Sequence, residues 1–127
     1  MRFTENRELI LDVLKKAKVP LTVEEIKHTL KYSVDTSTVY RALNFLEKKQ
    51  YIDSASFGRN IRFFFCSEKF KHFLFCDKCN RIEVFDDCFA GALEQKINEN
   101  YNFQIESHVL YFRGLCHDCR NKNKEEV

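Results

Sequence analysis

The sequence predicts an α+β chain: a helical front closed by a short hairpin, then a small α/β unit, then a polar tail. Three observations predict it. Between Thr4 and Lys49 lie three stretches of helical apolar period, the first two divided by Pro20. From Tyr51 onward strand-like runs take over, interrupted by one amphipathic helical stretch. Two C-x-x-C pairs, Cys76-Asp77-Lys78-Cys79 and Cys116-His117-Asp118-Cys119, stand 36 residues apart.

The first helix is expected from Thr4, a cap, to Lys16, with Leu9, Ile10, Val13 and Leu14 on one stripe and Lys15 and Lys16 complementing its C-terminal dipole. The second start signal is unusually complete. Thr22 and Glu25 have capping-box spacing, Leu21 and Ile26 that of a hydrophobic staple, and the helix is expected to reach about Tyr32. A third helix is expected over 36–49 behind Asp35, burying Val39, Leu43 and Leu46. Its opposite face carries Thr36, Ser37, Tyr40, Arg41, Asn44 and Lys48. Two helices joined by a short turn have helix-turn-helix geometry, whose second helix enters the major groove of DNA. Hydroxyls, an amide, a phenol and a guanidinium are groups that meet base edges and phosphates.

Tyr51-Ile52-Asp53 and Ile61–Phe65 then read as two strands around a turn at 57–60, a wing with Arg59 at its tip. Residues 1–65 are thus expected to form a winged-helix DNA-binding domain. A polar helix face is also what an ordinary solvated surface looks like, and interaction modules share the pattern.

Beyond it, Phe73-Leu74-Phe75 runs into the first cysteine pair, and Arg81–Phe85 alternates as a strand. A helix is expected from Asp86 or Asp87, with Phe89, Leu93 and Ile97 on one stripe, fraying over 98–102. A long strand over 103–112 follows, and Gly114 turns into the second pair. Three strands and one helix are too small a unit to be stable unaided. Residues 66–121 therefore read as an α/β dimerisation domain held by a metal, with 122–127 as a polar tail. Cys76, Cys79, Cys116 and Cys119 fit a closed Cys₄ structural zinc site, one ion per chain. Two disulfides, or a redox pair with two idle thiols, are the alternatives.

Composition narrows the classes. Of 127 residues 44% are hydrophobic, thirteen of them Phe, enough for cores. No apolar run approaches membrane-spanning length and nothing at the start resembles a secretion signal, so the expected address is the cytoplasm, with no membrane partner. Residues 1–66 hold 12 basic against 8 acidic side chains, and residues 67–127 hold 9 against 11, a mild asymmetry suited to a nucleic-acid reader joined to something else. An enzyme is not expected: four cysteines leave a zinc ion no open position, no nucleophile–base pair or phosphate loop is visible, and no small-molecule substrate is evident.

Taken together the chain resembles the Fur family of bacterial metal- and peroxide-responsive repressors. The resemblance rests on Thr4-Glu5-Asn6-Arg7 followed by Ile10-Leu11, on Thr38-Val39-Tyr40-Arg41-Ala42-Leu43, on His72-Phe73-Leu74-Phe75-Cys76, on Gly114-Leu115-Cys116, and on Cys119-Arg120. It implies a homodimeric transcription regulator on an AT-rich, inverted-repeat operator, with Tyr40 and Arg41 on DNA, Arg7 on its backbone, and the four cysteines on structural zinc. It also implies a regulatory metal site whose five usual ligands are absent here: Pro20, Phe64, Lys71, Phe73 and Val84 occupy their positions. Three readings stay open. Sensing is lost; or a different metal site has formed, with His72 and His108 aligned to ligands of a further family site and Cys66, Asp53 or Cys88 contributing; or Cys66 or Cys88 is a redox sensor. A zinc-stabilised protein-interaction module that no longer reads DNA is the remaining alternative.

Overall fold

The capping box at Thr22 forms as the sequence requires. Thr22 N–H donates to Glu25 Oε1 (2.9 Å) and Glu25 N–H donates to Thr22 Oγ1 (3.1 Å), which fixes the start of the second helix. In a computed structural model describing residues 3–57, 60–67, 69–70, 72–85, 90–106, 108 and 110–125, the chain divides into two units, Met1–Phe70 and Lys71–Val127.

The first unit holds α1 (Phe3–Lys16), α2 (Val23–Thr29), α3 (Thr36–Lys48), β1 (Ile52–Ala55) and β2 (Phe63–Cys66). Its core is Ile10 and Leu14 of α1, Ile26 of α2, Val39, Ala42, Leu43 and Leu46 of α3, and Ile52 and Phe64 of the hairpin. The stripe expected on α1 narrows: Leu9 faces solvent. Thr4 lies inside α1, its side chain outside the described residues. The second helix ends three residues earlier than expected, at Thr29. Lys31 N–H bonds His28 O and Tyr32 N–H bonds Lys27 O, and Lys31 and Tyr32 both turn left-handed (φ 56° and 57°). This double reversal closes the turn into α3 without a glycine. Asp35 sits at the N-cap of α3 with extended backbone, but its side chain makes no cap hydrogen bond.

The hairpin is antiparallel, pairing Ile52 with Cys66 and Ala55 with Phe63. Both strands are displaced from the expected segments toward the C-terminus. On its other edge β2 meets Leu21 in a two-bond bridge (Leu21 N to Phe64 O 2.9 Å, Phe64 N to Leu21 O 2.7 Å). With neighbours on both edges, β2 buries Phe63, Phe64 and Phe65 in succession. Beyond it, the Lys69 ammonium donates to the carbonyls of Leu14, Lys15 and Ala17, which close the C-terminus of α1.

The second unit holds β3 (His72–Cys76), β4 (Ile82–Val84), α4 (Ala90–Tyr101), β5 (Leu110–Gly114) and α5 (His117–Glu125). Its sheet runs β4-β3-β5, with β3 antiparallel to β4 and parallel to β5. Three expectations are corrected here. The last strand is five residues long rather than ten, because β3 offers only His72–Cys76 to pair with. Of the earlier part of that stretch, residues 103–106 are not in a strand and Phe103 is exposed. The helix α4 does not fray at Asn98; it continues to Tyr101, and Asn98 Oδ1 accepts from Ile105 N–H (2.9 Å). The polar stretch after Arg120 continues as α5, because the second cysteine pair nucleates a helix through Arg120 N–H to Cys116 O (2.9 Å) and Asp118 suits its first turn. The start expected for α4 at residues 86–89, including Cys88, lies outside the described residues.

Candidate nucleic-acid interface and metal centre

Helix α3 divides into two faces. Val39, Ala42, Leu43 and Leu46 are buried, while Thr36, Ser37, Tyr40, Arg41, Asn44 and Lys48 are exposed. The exposed set therefore forms the stripe read from the sequence. Lys27 Nζ of α2 donates to Thr36 Oγ1 (2.6 Å), and Arg41 Nη2 donates to Thr38 Oγ1 (3.3 Å). Tyr40 and Thr36 border a cleft of about 340 Å³ shared with Thr22 and Glu24 at the start of α2 and Asn60 and Arg62 of the hairpin. The reading face, the second helix and the wing thus meet around one groove. Arg7 has a different setting: its guanidinium stacks 3.5 Å from the centroid of the Phe45 ring of α3. Arg59 lies outside the described residues.

In the second unit the four C-x-x-C cysteines converge. Cys76 ends β3, Cys79 sits in the turn that Asn80 closes in a left-handed conformation (φ 64°), and Cys116 and Cys119 flank the first turn of α5. Their sulfurs all lie within 4.8 Å of one another, and Cys79 and Cys116 are 3.8 Å apart. Tetrahedral zinc–thiolate bonds of about 2.3 Å put neighbouring sulfurs about 3.8 Å apart, so the donor set fits the ion. All four are free thiols in the structure. The two turns are stitched by Asp77 N–H to Gly114 O (2.8 Å) and by Arg113 Nε to Asp77 Oδ1 (2.9 Å). Burial opposes ionisation of Cys76, yet N–H groups of Cys116, Cys79 and Lys78 outweigh it and bring the thiol down to about 6. Burial, then the neighbouring thiols, push Cys119 up to about 12. Four thiolates so close repel one another, and a dication is what such a set accommodates. Arg81, which carries no signal in the sequence, spans the rim: its carbonyl accepts from Cys76 N–H (2.9 Å) and its guanidinium reaches Asp118 (3.4 Å) and Glu83 (3.3 Å).

His72 and His108 are brought together. Their rings stack with centroids 5.2 Å apart, and their Nε2 atoms face each other at 3.0 Å. His72 Nδ1 donates to Phe85 O (3.3 Å), and His108 Nδ1 donates to a Glu94 carboxylate oxygen. Glu94 has no signal in the linear sequence, since it reaches His108 only through the packing of α4. Asp53 and Cys66 belong to the other unit. Of the positions of the five absent ligands, Pro20 and Phe64 are buried in the first unit, Phe73 is buried in the second, Val84 is partly exposed on β4, and Lys71 lies outside the described residues. Cys66 is half-buried, and burial raises its thiol above the ordinary value, with Lys69 and Lys15 opposing.

Comparison with known proteins places this geometry. Residues 1–113 match the model of the ferric uptake regulator family. The ferric uptake regulation protein of Campylobacter jejuni is 27% identical, across 96% of this chain and 82% of that one. The Helicobacter pylori ferric uptake regulator, whose structure reveals three functional metal-binding sites, is 26% identical and superposes with a TM-score of 0.77 over 91% of this chain and 80% of that one. The Vibrio cholerae ferric uptake regulator is 27% identical, with a TM-score of 0.76 over 87% and 88%. No described helix is long and apolar enough to cross a membrane. The chain belongs to the ferric uptake regulator family, whose members are DNA-binding transcription regulators rather than enzymes.

Proposed function

We propose that the chain is a cytoplasmic, homodimeric repressor that binds an AT-rich inverted repeat through its first unit, dimerises through its second, and carries one structural zinc on Cys76, Cys79, Cys116 and Cys119. The observation that carries the reading is the exposed Thr36, Ser37, Tyr40, Arg41 and Asn44 stripe beside the groove of the hairpin, in a chain of this family. Arg41 and Tyr40 contact bases or phosphate, Arg59 touches the DNA backbone or minor groove, and Arg7, stacked on Phe45, contacts the DNA backbone. Four sulfurs within 4.8 Å of one another support the zinc. Phe64, Phe73 and Val84 cannot bind a metal ion, so the family's usual regulatory site is lost.

Selection of duplexes from a random pool, followed by shift assays across a salt series, tests DNA reading. Tyr40→Ala and Arg41→Ala are each expected to weaken the selected duplex by about 1–3 kcal/mol. Unchanged binding by both, or no sequence preference at any salt, favours the interaction-module alternative.

A second reading is favoured by the histidine pair. Both Nδ1–H groups are committed to oxygen acceptors, so in the neutral rings both Nε2 atoms present lone pairs, 3.0 Å apart. Two lone pairs at that distance need a proton or a cation between them. Nitrogens each about 2.1 Å from one ion and at right angles stand about 3.0 Å apart. The reading is a rebuilt site on His72 and His108, with Glu94 orienting His108 from outside. Metal content separates the outcomes: one tightly held zinc per chain supports loss of sensing, while a second exchangeable ion removed by His72→Ala or His108→Ala supports rebuilding. A thiol sensor at Cys66 is disfavoured, because reactive cysteines have lowered rather than raised pKa values.

A further inference from the structure

A closed triangle of side chains joins the reading helix to the wing. Glu47, in the last turn of α3, accepts from Ser54 Oγ of β1 at Oε2 (2.6 Å) and from Arg62 Nη2 at Oε1 (2.6 Å). Arg62 Nη2 also donates to Ser54 Oγ (2.9 Å), and its guanidinium lies 4.9 Å from the Phe64 ring centroid. The Ser54 hydroxyl thus donates once and accepts once, and both carboxylate oxygens of Glu47 are engaged. The three residues come from three segments: the third helix, the first wing strand β1, and the chain entering β2. Arg62 at the same time lines the groove that carries Tyr40 and Thr36.

We propose that Glu47 is a positioning residue for DNA recognition: through Ser54 and Arg62 it fixes the angle of the wing against α3, so that both engage one duplex together. The proposal rests on the DNA-reading function proposed for the first unit. Ile52 and Phe64 bury the base of the hairpin against the core, and the Leu21–Phe64 bridge ties β2 at one point on the side away from β1, so it does not join the hairpin to α3. The triangle supplies direction, because a carboxylate gripping a guanidinium and a hydroxyl has few allowed geometries. A two-stranded hairpin is marginal by itself, and its orientation must come from outside it.

The sign of one substitution separates positioning from plain electrostatics. Glu47→Gln removes a negative charge from the side that faces DNA, which by charge alone tightens binding to every duplex. Misplacing the wing instead weakens the matched duplex selectively. The experiment measures affinity of the full chain for the duplex selected with wild-type protein and for a scrambled duplex of equal composition, at one salt concentration, together with thermal unfolding. Glu47→Gln is expected to lower affinity for the selected duplex about tenfold, with scrambled-duplex affinity unchanged or raised; Arg62→Met, which also removes a cation from the groove, is expected to weaken the selected duplex clearly more than the scrambled one. The double variant is expected to be no weaker than the worse single one, as members of one network are non-additive. Ser54→Ala keeps the Glu47–Arg62 pair and is expected to show a smaller loss. Equal effects on both duplexes, tighter binding of the selected duplex, or a lowered melting temperature with unaltered duplex preference each overturn the proposal. Failure of wild-type protein to select any duplex overturns the DNA-reading function itself.

Discussion

At Gln50 the backbone adopts φ 67° to end α3, with Gln50 N–H bonded to Glu47 O (3.0 Å) and Tyr51 N–H to Leu46 O (2.9 Å). This is the reversal that glycine makes without crowding its Cβ. Gln50 is exposed, so removing its side chain opens no cavity. Gln50→Gly is therefore expected to stabilise the protein by about 1 kcal/mol, read as a higher urea midpoint at constant slope. In the second unit the informative residue is Cys119, buried where Cys79 is exposed. Cys119→Ser is expected to abolish tight zinc binding, measured as metal per chain after dialysis, by removing one of the two buried donors. Neither position stands out as left-handed or buried in the sequence, because both properties belong to the backbone around them.

Elements are legible where their causes are local. The helices of the first unit follow from a 3.6-residue period and a capping box whose partners are three residues apart, and the structure keeps them within a few residues. The turn after α2 escapes the pattern because Lys31 and Tyr32 are unusual left-handed residues. In the second unit the causes are distant. The length of β5 is set by β3, whose paired residues lie 38 positions earlier, and α5 is nucleated by Cys116 rather than by any apolar stripe of its own. The same reasoning explains the candidate sites. The cysteine cluster is readable from spacing alone, whereas Glu94 beside His108 and the Glu47–Ser54–Arg62 triangle exist only in three dimensions. One element depends on a single cation: Lys69 holds the terminal carbonyls of α1. Lys69→Met is expected to lower stability of the first unit by about 1 kcal/mol, an exposed ammonium being worth less than a buried one. Amide exchange confined to the last turn of α1 checks the location.

For the molecule as a whole, the second unit leaves much apolar surface uncovered. Helix α4 buries none of its described side chains, and Leu93, Tyr101, Phe103, Tyr111 and Phe112 are exposed. Such a surface suits a second copy, which is the physical content of the proposed dimer. Phe103→Glu combined with Phe112→Glu is expected to convert the dimer to monomer in sedimentation and to weaken operator binding by losing one of two half-sites. Chelating the zinc is expected to unfold the second unit while α1–α3 persist, so that far-ultraviolet ellipticity falls only in part.

Strands β3 and β5 run side by side in one direction, with Cys76 opposite Gly114 and Cys116 two residues on. A slip of one residue displaces Cys116 by about 3.3 Å, almost the whole 3.8 Å separating it from Cys79. The zinc proposed for this cluster would then proofread strand alignment, closing around correctly matched chains and rejecting shifted ones. Parallel pairing between remote segments is intrinsically slow. On that proposal, scarcity of the ion during synthesis is expected to be more harmful than scarcity afterwards, since newborn chains lose their editor while mature ones keep theirs.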